Sequence, residues 1–271
     1  MKKKTCSKEH QKYLRTQRNK SVVIIFVQIG ILVFAILLWE LLTEKGIIDS
    51  FISSSPSKIA KTFAKLVSDG AIWSHVSATL SETLIGFALS TVLGTLIAII
   101  LWFSETLQRV FEPYLVVLNS LPKIALGPII IIWVGAGKSA IIVMTLLITL
   151  IITVINTLSG FISVEADKLL LMKTLHANKF QTLFKLIIPH NIPNMISCLK
   201  INVGLTWVGT IMGEYLVSKE GLGYLIVYGG QVFNLSLVMC STVILCVLAG
   251  VMYGLVALIE KIVKKFYNFD I

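Results

Sequence analysis

Residues 83–103 read TLIGFALSTVLGTLIAIILWF and contain no charged side chain. A helix rises about 1.5 Å per residue, and crossing the hydrocarbon layer of a membrane takes about 20 apolar residues. Similar uncharged runs occupy residues 139–164 and 235–259. The three runs together predict a helical protein that crosses a membrane several times.

The composition of the whole chain supports this prediction. Of 271 residues, 56% are apolar and only 14% are charged, against about 25% charged residues in an ordinary soluble domain. A soluble fold cannot hide so much apolar surface, and a disordered chain needs low hydrophobicity. The apolar runs are also too long and unbroken for the alternating strands of an outer-membrane barrel.

Three less uniform runs complete a set of about six predicted transmembrane helices in an all-α polytopic protein. The predicted spans are 22–42, 83–103, 113–134, 139–164, 196–217 and 235–259. The third span contains Pro122 and Pro128, which are expected to break or bend it. It also carries Lys123, and the fifth span carries Glu214, so both spans hold a charge that lipid would not accept.

Basic residues predict the orientation of the chain. The net charge is +10, and most of it lies in residues 1–21, directly before the first span at 22–42. A basic segment beside an apolar span is typical of a cytoplasmic anchor rather than of nucleic-acid binding. Lys and Arg are also more frequent in the segments that six spans would place on that same side. We therefore expect both termini in the cytoplasm of a prokaryote, with membrane lipid around the spans.

The segment between the fourth and fifth spans, residues 165–195, is too charged to cross a membrane. It divides into two helical pieces at Ala177–Asn178, with Asn178 as a predicted N-cap. The second piece places apolar side chains on one face, and the prolines at 189 and 193 are expected to end it. Such a helix either docks into a groove of a soluble partner or rests on lipid headgroups. The predicted docking residues are Ala177, Asn178, Phe180, Leu183, Phe184, Ile187 and Pro189.

Polar side chains recur at every fourth position within the fourth and fifth spans. These stripes are Thr145, Thr149, Thr153 and Thr157, and Asn202, Thr206, Thr210 and Glu214. Either they join helices by hydrogen bonds or they line a wetted path. The predicted path residues are Lys123, Thr149, Thr153, Asn202, Thr206, Thr210 and Glu214, with Lys123 as a candidate ionic partner of Glu214. In the second span, Gly86, Ser90 and Gly94 form a small-residue line typical of helix packing.

The sequence predicts that the chain is not an enzyme. Its four histidines and four cysteines are scattered without metal-ligand spacing, and no nucleophile and base recur together. We therefore predict no catalytic residue, no metal site and no cofactor. A passive channel or a membrane scaffold is one non-enzymatic function that fits such a chain.

Several short motifs resemble those of one transporter family. Residues 175–178, 180–184 and 188–193 resemble the "EAA" loop of binding-protein-dependent ABC importer permeases. Residues 121–128, 133–135 and 221–226, with Trp207 and Glu214, are similar to the sulfonate, nitrate and taurine subgroup. The resemblance covers about residues 55–260, the predicted permease core, with residues 165–195 as its docking loop.

The chain departs from the family pattern at two places in this loop. His176 stands where the family usually has glycine, and residues 170–172 read Leu-Leu-Met in place of the E-A-A triplet. If the family glycine adopts a left-handed backbone, His176 is expected to be tolerated there with some strain.

The resemblance implies the fold, partners and activity of a type I ABC importer permease. It implies a cytoplasmic ATPase bound at residues 165–195, an extracytoplasmic solute-binding protein, and a second copy of the chain forming a homodimer. Transport would proceed by alternating access, with ATP hydrolysed on the separate chain. The implied solute is a small anion such as a sulfonate, nitrate or taurine, and a thiamine-precursor pyrimidine or another small metabolite is the alternative.

Overall fold

The computed structural model describes residues 8–49 and 53–267, and this part of the chain is helical. Its helices are α1 (Lys8–Glu44), α2 (Pro56–Ser68), α3 (Ala71–Phe103), α4 (Glu105–Ser120), α5 (Gly127–Val134), α6 (Lys138–Ile162), α7 (Ala166–Thr174), α8 (Lys179–Thr182), α9 (Ile188–Val217), α10 (Leu222–Gln231) and α11 (Leu235–Tyr267). A 3₁₀ turn (Lys123–Leu126) precedes α5, and a π-helical turn (Leu183–Ile187) joins α8 to α9. The predicted all-α class is confirmed, and residues 1–7 of the basic N-terminal segment lie outside the described residues.

Within these residues, five stretches of helix are long and apolar enough to cross a membrane. They are Val22–Glu44, Ala71–Phe103, Lys138–Ile162, Lys179–Val217 and Leu235–Lys265. Helices α4 and α5 qualify together as a sixth, broken span. The prediction of about six spans is therefore confirmed. Since α3 begins at Ala71, it extends the predicted second span by three turns at its N-terminal end.

The third span bends by 85° between α4 and α5. The break lies at Pro122, which follows the last residue of α4 and its C-cap, Leu121. Pro128 instead occupies the first turn of α5, where a missing backbone amide costs no hydrogen bond. The expected break of the third span is thus confirmed and lies at Pro122, whereas Pro128 stands at the start of the helix that follows it.

The chain divides into two compact units, residues 1–64 and 65–271. Within the first unit, α1 is tied to the start of α2, because the Ser57 amide donates to Glu40 Oε2 at 3.0 Å. That acceptor satisfies one of the free amides at a helix N-terminus, and its negative charge suits the helix dipole there. Helix α2 begins at Pro56, and the fixed φ and missing amide of proline suit the first position of a helix.

In the second unit, α6 is the central helix and packs along both α3 and α9. Helices α3 and α9 can approach α6 closely because each of them places glycine against it. A Cβ on Gly94 would lie 2.7 Å from Thr153 Cβ, and one on Gly209 would lie 2.7 Å from the Thr145 backbone. Gly86, Ser90 and Gly94 are all buried in this contact. The predicted packing role of this small-residue line is confirmed, in agreement with how helices associate in lipid.

Candidate functional site

The loop between α6 and α9 is built from two successive capping motifs. Helix α7 ends in a Schellman motif, in which the Ala177 amide donates to Met172 O and the His176 amide donates to Lys173 O, both at 3.0 Å. His176 takes the left-handed position of this motif with φ of 53°, where glycine is the usual residue. The expectation of a left-handed His176 is therefore confirmed.

Asn178 starts the next helix as an N-cap, as predicted. Its Oδ1 accepts from the Gln181 amide at 2.8 Å, and Gln181 Oε1 accepts from the Asn178 amide at 2.9 Å. This reciprocal pair is a capping box. Two caps in succession fix the angle between α7 and α8 through local hydrogen bonds alone, so the loop has a defined shape before any partner binds.

The helix does not end at Pro189 and Pro193, which corrects the prediction. It continues as α9 to Val217, with Pro189 in its first turn and Pro193 inside it. The π-helical turn makes this possible, because the Ile188 amide donates back to Leu183 O, five residues earlier. The wider turn shifts the pattern of backbone hydrogen bonds just before Pro189, which has no amide hydrogen to donate.

The predicted apolar docking face is divided by the fold. Leu183 and Ile187 are buried in a cluster with Phe161 of α6 and Leu101 of α3, so neither is available to a partner. Phe180 and Phe184 are 65% and 64% exposed. The rest of the predicted docking set stays near the surface, since Asn178 is exposed and Ala177 and Pro189 are half-buried. Exposed leucines of α7 and its C-cap add to the available apolar surface: Leu170, Leu171 and Leu175.

The loop also contacts the junction of α3 and α4. Lys179 Nζ donates to Phe103 O at 3.0 Å, and the Phe180 ring lies 4.8 Å from the Phe103 ring, centroid to centroid. Phe103 is the last residue of α3, and Ser104 is the N-cap of α4. A displacement of α8 would therefore reach this junction through direct contacts. We call this end of the bundle the α8 end.

The predicted path stripes are buried between α6 and α9. Asn202 Nδ2 donates to Thr153 Oγ1 at 2.8 Å, and Thr145 and Thr210 share a hydrogen bond of 3.3 Å. Thr149 and Thr206 donate within their own helices to the carbonyl four residues earlier. These side chains are at most 1% exposed, so this conformation uses them for helix packing. Their role in a path stays a prediction.

Lys123 and Glu214 do not pair with each other in the described part of the chain. Lys123 Nζ donates to Asn119 O at 2.8 Å, one of the last carbonyls of α4. A cation at that place complements the negative end of the helix dipole. Glu214 Oε2 instead accepts from the Gly223 amide at 2.5 Å. The predicted ion pair is therefore wrong, and each charge has a backbone partner.

Glu214 belongs to a clamp on the loop between α9 and α10. Three successive amides of that loop each donate to a side chain: Gly221 to His75 Nδ1 at 3.0 Å, Leu222 to Thr79 Oγ1 at 2.8 Å, and Gly223 to Glu214 Oε2. Gly221 has φ of +113°, and a Cβ there would lie 2.5 Å from the Glu214 carboxyl carbon. Only glycine fits at position 221, because a larger residue would be strained there and would collide with Glu214. The hydrogen bonds of the clamp therefore depend on this glycine.

Sequence reasoning missed His75, Thr79 and Glu82. All three lie in the first turns of α3, which the sequence assigned to a connecting segment. Glu82 is buried beside Glu214, and Glu82 Oε2 has no hydrogen-bond partner among the described residues. The signal in the sequence was the spacing of Thr79, Glu82 and Thr83, which places three polar side chains on one helix face. We call this end of the bundle the α10 end.

A membrane bundle with a broken third span and an accessible helical loop before the fifth is the architecture of a transporter permease. The chain belongs to the family of binding-protein-dependent transport system inner membrane components, whose family model matches residues 90–265. It is the permease subunit of an ABC importer and a multi-pass protein of the bacterial cell membrane. The predicted family and its sulfonate and taurine subgroup are confirmed.

Two relatives of the chain are named for different solutes. The chain is 26% identical to a putative aliphatic sulfonates transport permease of Bacillus subtilis, over 88% of this chain and 87% of that protein. It is 33% identical to the formylaminopyrimidine transport permease of Halalkalibacterium halodurans, over 69% of this chain and 74% of that protein.

Solved structures share the fold. The inward-facing MetNI methionine ABC transporter matches with a TM-score of 0.62 at 19% identity, covering 70% of this chain and 94% of that one. A bacterial alginate ABC transporter in complex with its alginate-bound periplasmic protein matches with a TM-score of 0.63 at 13% identity, covering 94% and 96%. The predicted type I importer architecture is confirmed.

Proposed function

We propose that this permease moves a small polar solute by alternating access, driven by an ATPase that binds the α8 end. Two copies of the chain would enclose the path, as the closed symmetry of most oligomers favours. The basic N-terminal segment supports placing the α8 end and both termini in the cytoplasm. The α10 end would then face outside, where a solute-binding protein would deliver its cargo to the clamped loop.

The exposure of Phe180 and Phe184 carries this proposal. An apolar pair on a pre-shaped helical loop is the kind of anchor that a groove on a soluble partner accepts. Because the capping hydrogen bonds already order the loop, binding would cost little conformational entropy. Because α8 contacts the end of α3, movement of the bound partner would be passed to the bundle.

Capture of an ATPase tests the docking proposal. The natural chain, solubilised from its host membrane, should co-purify with an ABC ATPase, and Phe184→Asp should abolish the capture by placing a charge in the contact. Phe233→Asp is the matched control, because Phe233 is equally apolar and exposed but lies after α10. Unchanged capture by Phe184→Asp would contradict the docking site, and no captured ATPase at all would favour a channel or a scaffold.

The proposed solute is a small sulfonate-like, nitrate-like or taurine-like anion. The match to the aliphatic sulfonates permease over most of both chains supports it. A formylated aminopyrimidine is the second candidate, supported by the higher identity to the pyrimidine permease. Stimulation of ATPase activity in the reconstituted complex, with the cognate solute-binding protein loaded with each solute in turn, distinguishes the two.

A further inference from the structure

Helix α4 is exposed on two chemically different sides. It has no buried residue, and together with α5 it is long and apolar enough to form a broken span. One side is apolar and includes Tyr114, Val117 and Leu118. At about 100° per residue, Gln108, Glu112 and Asn119 fall within an arc of about 40° on the other side.

The polar side cannot face hydrocarbon. Charged and amide side chains in a membrane helix face protein or water, because exposing them to lipid costs several kcal/mol. Glu105 and Arg109 lie towards the same side and form an ion pair of 2.6 Å. Glu112 forms no ion pair within residues 8–49 and 53–267. Its carboxylate therefore needs water or a passing polar group.

A cleft of about 450 Å³ opens beside this side of α4. It lies between α4 and α6 and has a mixed lining. Gln108 and Glu112 of α4 face Ser159 and Ser163 of the other wall, and five aliphatic side chains of the two helices complete the surface. The volume is large enough for a small solute with its water. The cleft is at the α8 end, next to the junction that α8 contacts.

The side chains on this face differ from those that pack α6 against α3 and α9. The contacts of α6 with α3 and α9 use glycine and threonine, which let backbones approach closely. The polar face of α4 uses long amide, carboxylate and guanidinium side chains, which keep a neighbouring helix at a distance. This contrast favours a wet surface over a further packing contact.

We infer that the polar face of α4, with Ser159 and Ser163, is the wall of the water-filled solute path at the α8 end, and that Glu112 is the charge the solute passes there. The inference rests on the proposed function, in which a second copy of the chain would close the open side of this cleft. The contacts of α8 with Phe103, the last residue of α3, would then link the ATPase to this wall through the junction of α3 and α4.

Two adjacent valines provide the test. Val116 and Val117 are both 60% exposed, but Val116 lines the cleft on the polar side and Val117 lies on the apolar side. The cysteines of the chain are first replaced by serine or alanine. Val116→Cys and Asn119→Cys should then react with a water-soluble methanethiosulfonate reagent in inverted vesicles that hold the complete transporter. Val117→Cys and Leu118→Cys should react at least about tenfold more slowly, because a thiol in lipid does not ionise.

The charge of Glu112 adds a second readout. The thiol of Val116→Cys lies one turn from Glu112, so a cationic reagent should label it faster than an anionic one, and Glu112→Gln should reduce that preference by roughly threefold or more. Equal labelling at 116 and 117 would overturn the inference. So would an unlabelled Val116→Cys that instead forms a disulfide with the second copy, because the face would then be a dry contact.

Uptake in the same vesicles separates this inference from the proposed function. If ATP-driven uptake persists while positions 116 and 119 stay unlabelled, the path runs elsewhere and only the inference is wrong. If positions 116 and 119 are labelled but no ATPase assembles and no uptake occurs, the proposed function is wrong and the wall belongs to a channel.

Discussion

The carboxamide of Asn202 donates a hydrogen bond of 2.8 Å to the hydroxyl of Thr153, and both side chains are buried between α6 and α9. The Thr153 hydroxyl in turn donates to Thr149 O at 2.8 Å. One hydroxyl thus joins a bond within its helix to a bond between helices. Lipid cannot replace either partner, so this pair fixes the register of α6 against α9.

Thr153→Val removes this bond and keeps the shape of the side chain. The Asn202 amide would lose its acceptor while the methyl groups still fill the contact with Gly94. We expect a loss of about 1 kcal/mol in the free energy of unfolding, the usual size of an interhelical bond in a membrane protein. Reversible unfolding in mixed micelles measures it. In the Asn202→Ala background, where the bond is already absent, Thr153→Val should cost about 1 kcal/mol less than in the natural chain. Equal losses in the two backgrounds would contradict the assignment.

Gly209→Ala should separate α6 from α9. A Cβ at this position would lie 2.7 Å from the Thr145 Cα, and backbone cannot move aside as a side chain can. Overpacking of this kind costs about 1–3 kcal/mol, which the same unfolding assay would detect. Gly204→Ala is the matched control on the same helix, because its Cβ would meet nothing within 4 Å. If both variants lose stability equally, close packing at Gly209 is not the cause.

Short sequence patterns were sufficient to predict the features that depend only on residues close together in the chain. Asn178 caps its helix, Pro122 breaks the third span and Ser55-Pro56 starts α2, because each effect acts within a few residues. The spans were found for the same reason, since hydropathy depends only on the local run. Hydropathy marks the hydrocarbon rather than the helix ends, however, and so it placed the start of α3 at Thr83 rather than Ala71.

Burial of the docking residues and the partners of the loop at 221–223 depend on contacts between distant parts of the chain, and the sequence did not predict them. Periodicity put Phe180, Leu183, Phe184 and Ile187 on one face, but α6 covers only Leu183 and Ile187, and the phenylalanines stay exposed. The clamp on the loop at 221–223 joins residues about 140 positions apart, so no local pattern could pair α3 with that loop. Glu214 was predicted to need a partner, and that partner is a backbone amide rather than a lysine.

Thr79→Val should loosen the loop between α9 and α10. The Leu222 amide is buried and would lose its acceptor, and an unsatisfied buried amide costs about 1–3 kcal/mol. We expect faster hydrogen exchange at residues 221–223, measured by mass spectrometry on the purified chain, with little change in α6. Thr79→Ser restores the acceptor and should restore protection. Unchanged exchange in Thr79→Val would show that the clamp does not hold the loop.

His176→Gly should stabilise the docking loop. His176 holds a left-handed backbone with φ of 53°, which costs a residue with a Cβ about 1–2 kcal/mol. Glycine removes that strain but gains entropy in the unfolded chain, so the expected net gain is about 1 kcal/mol. His176→Val should lose stability, since a β-branched residue fits this region worst. Because the Schellman bonds use backbone atoms only, ATPase capture should survive the change to glycine. Reduced stability in His176→Gly would mean that the imidazole itself makes a contact that matters, and that this chain depends on histidine at a position where the family usually has glycine.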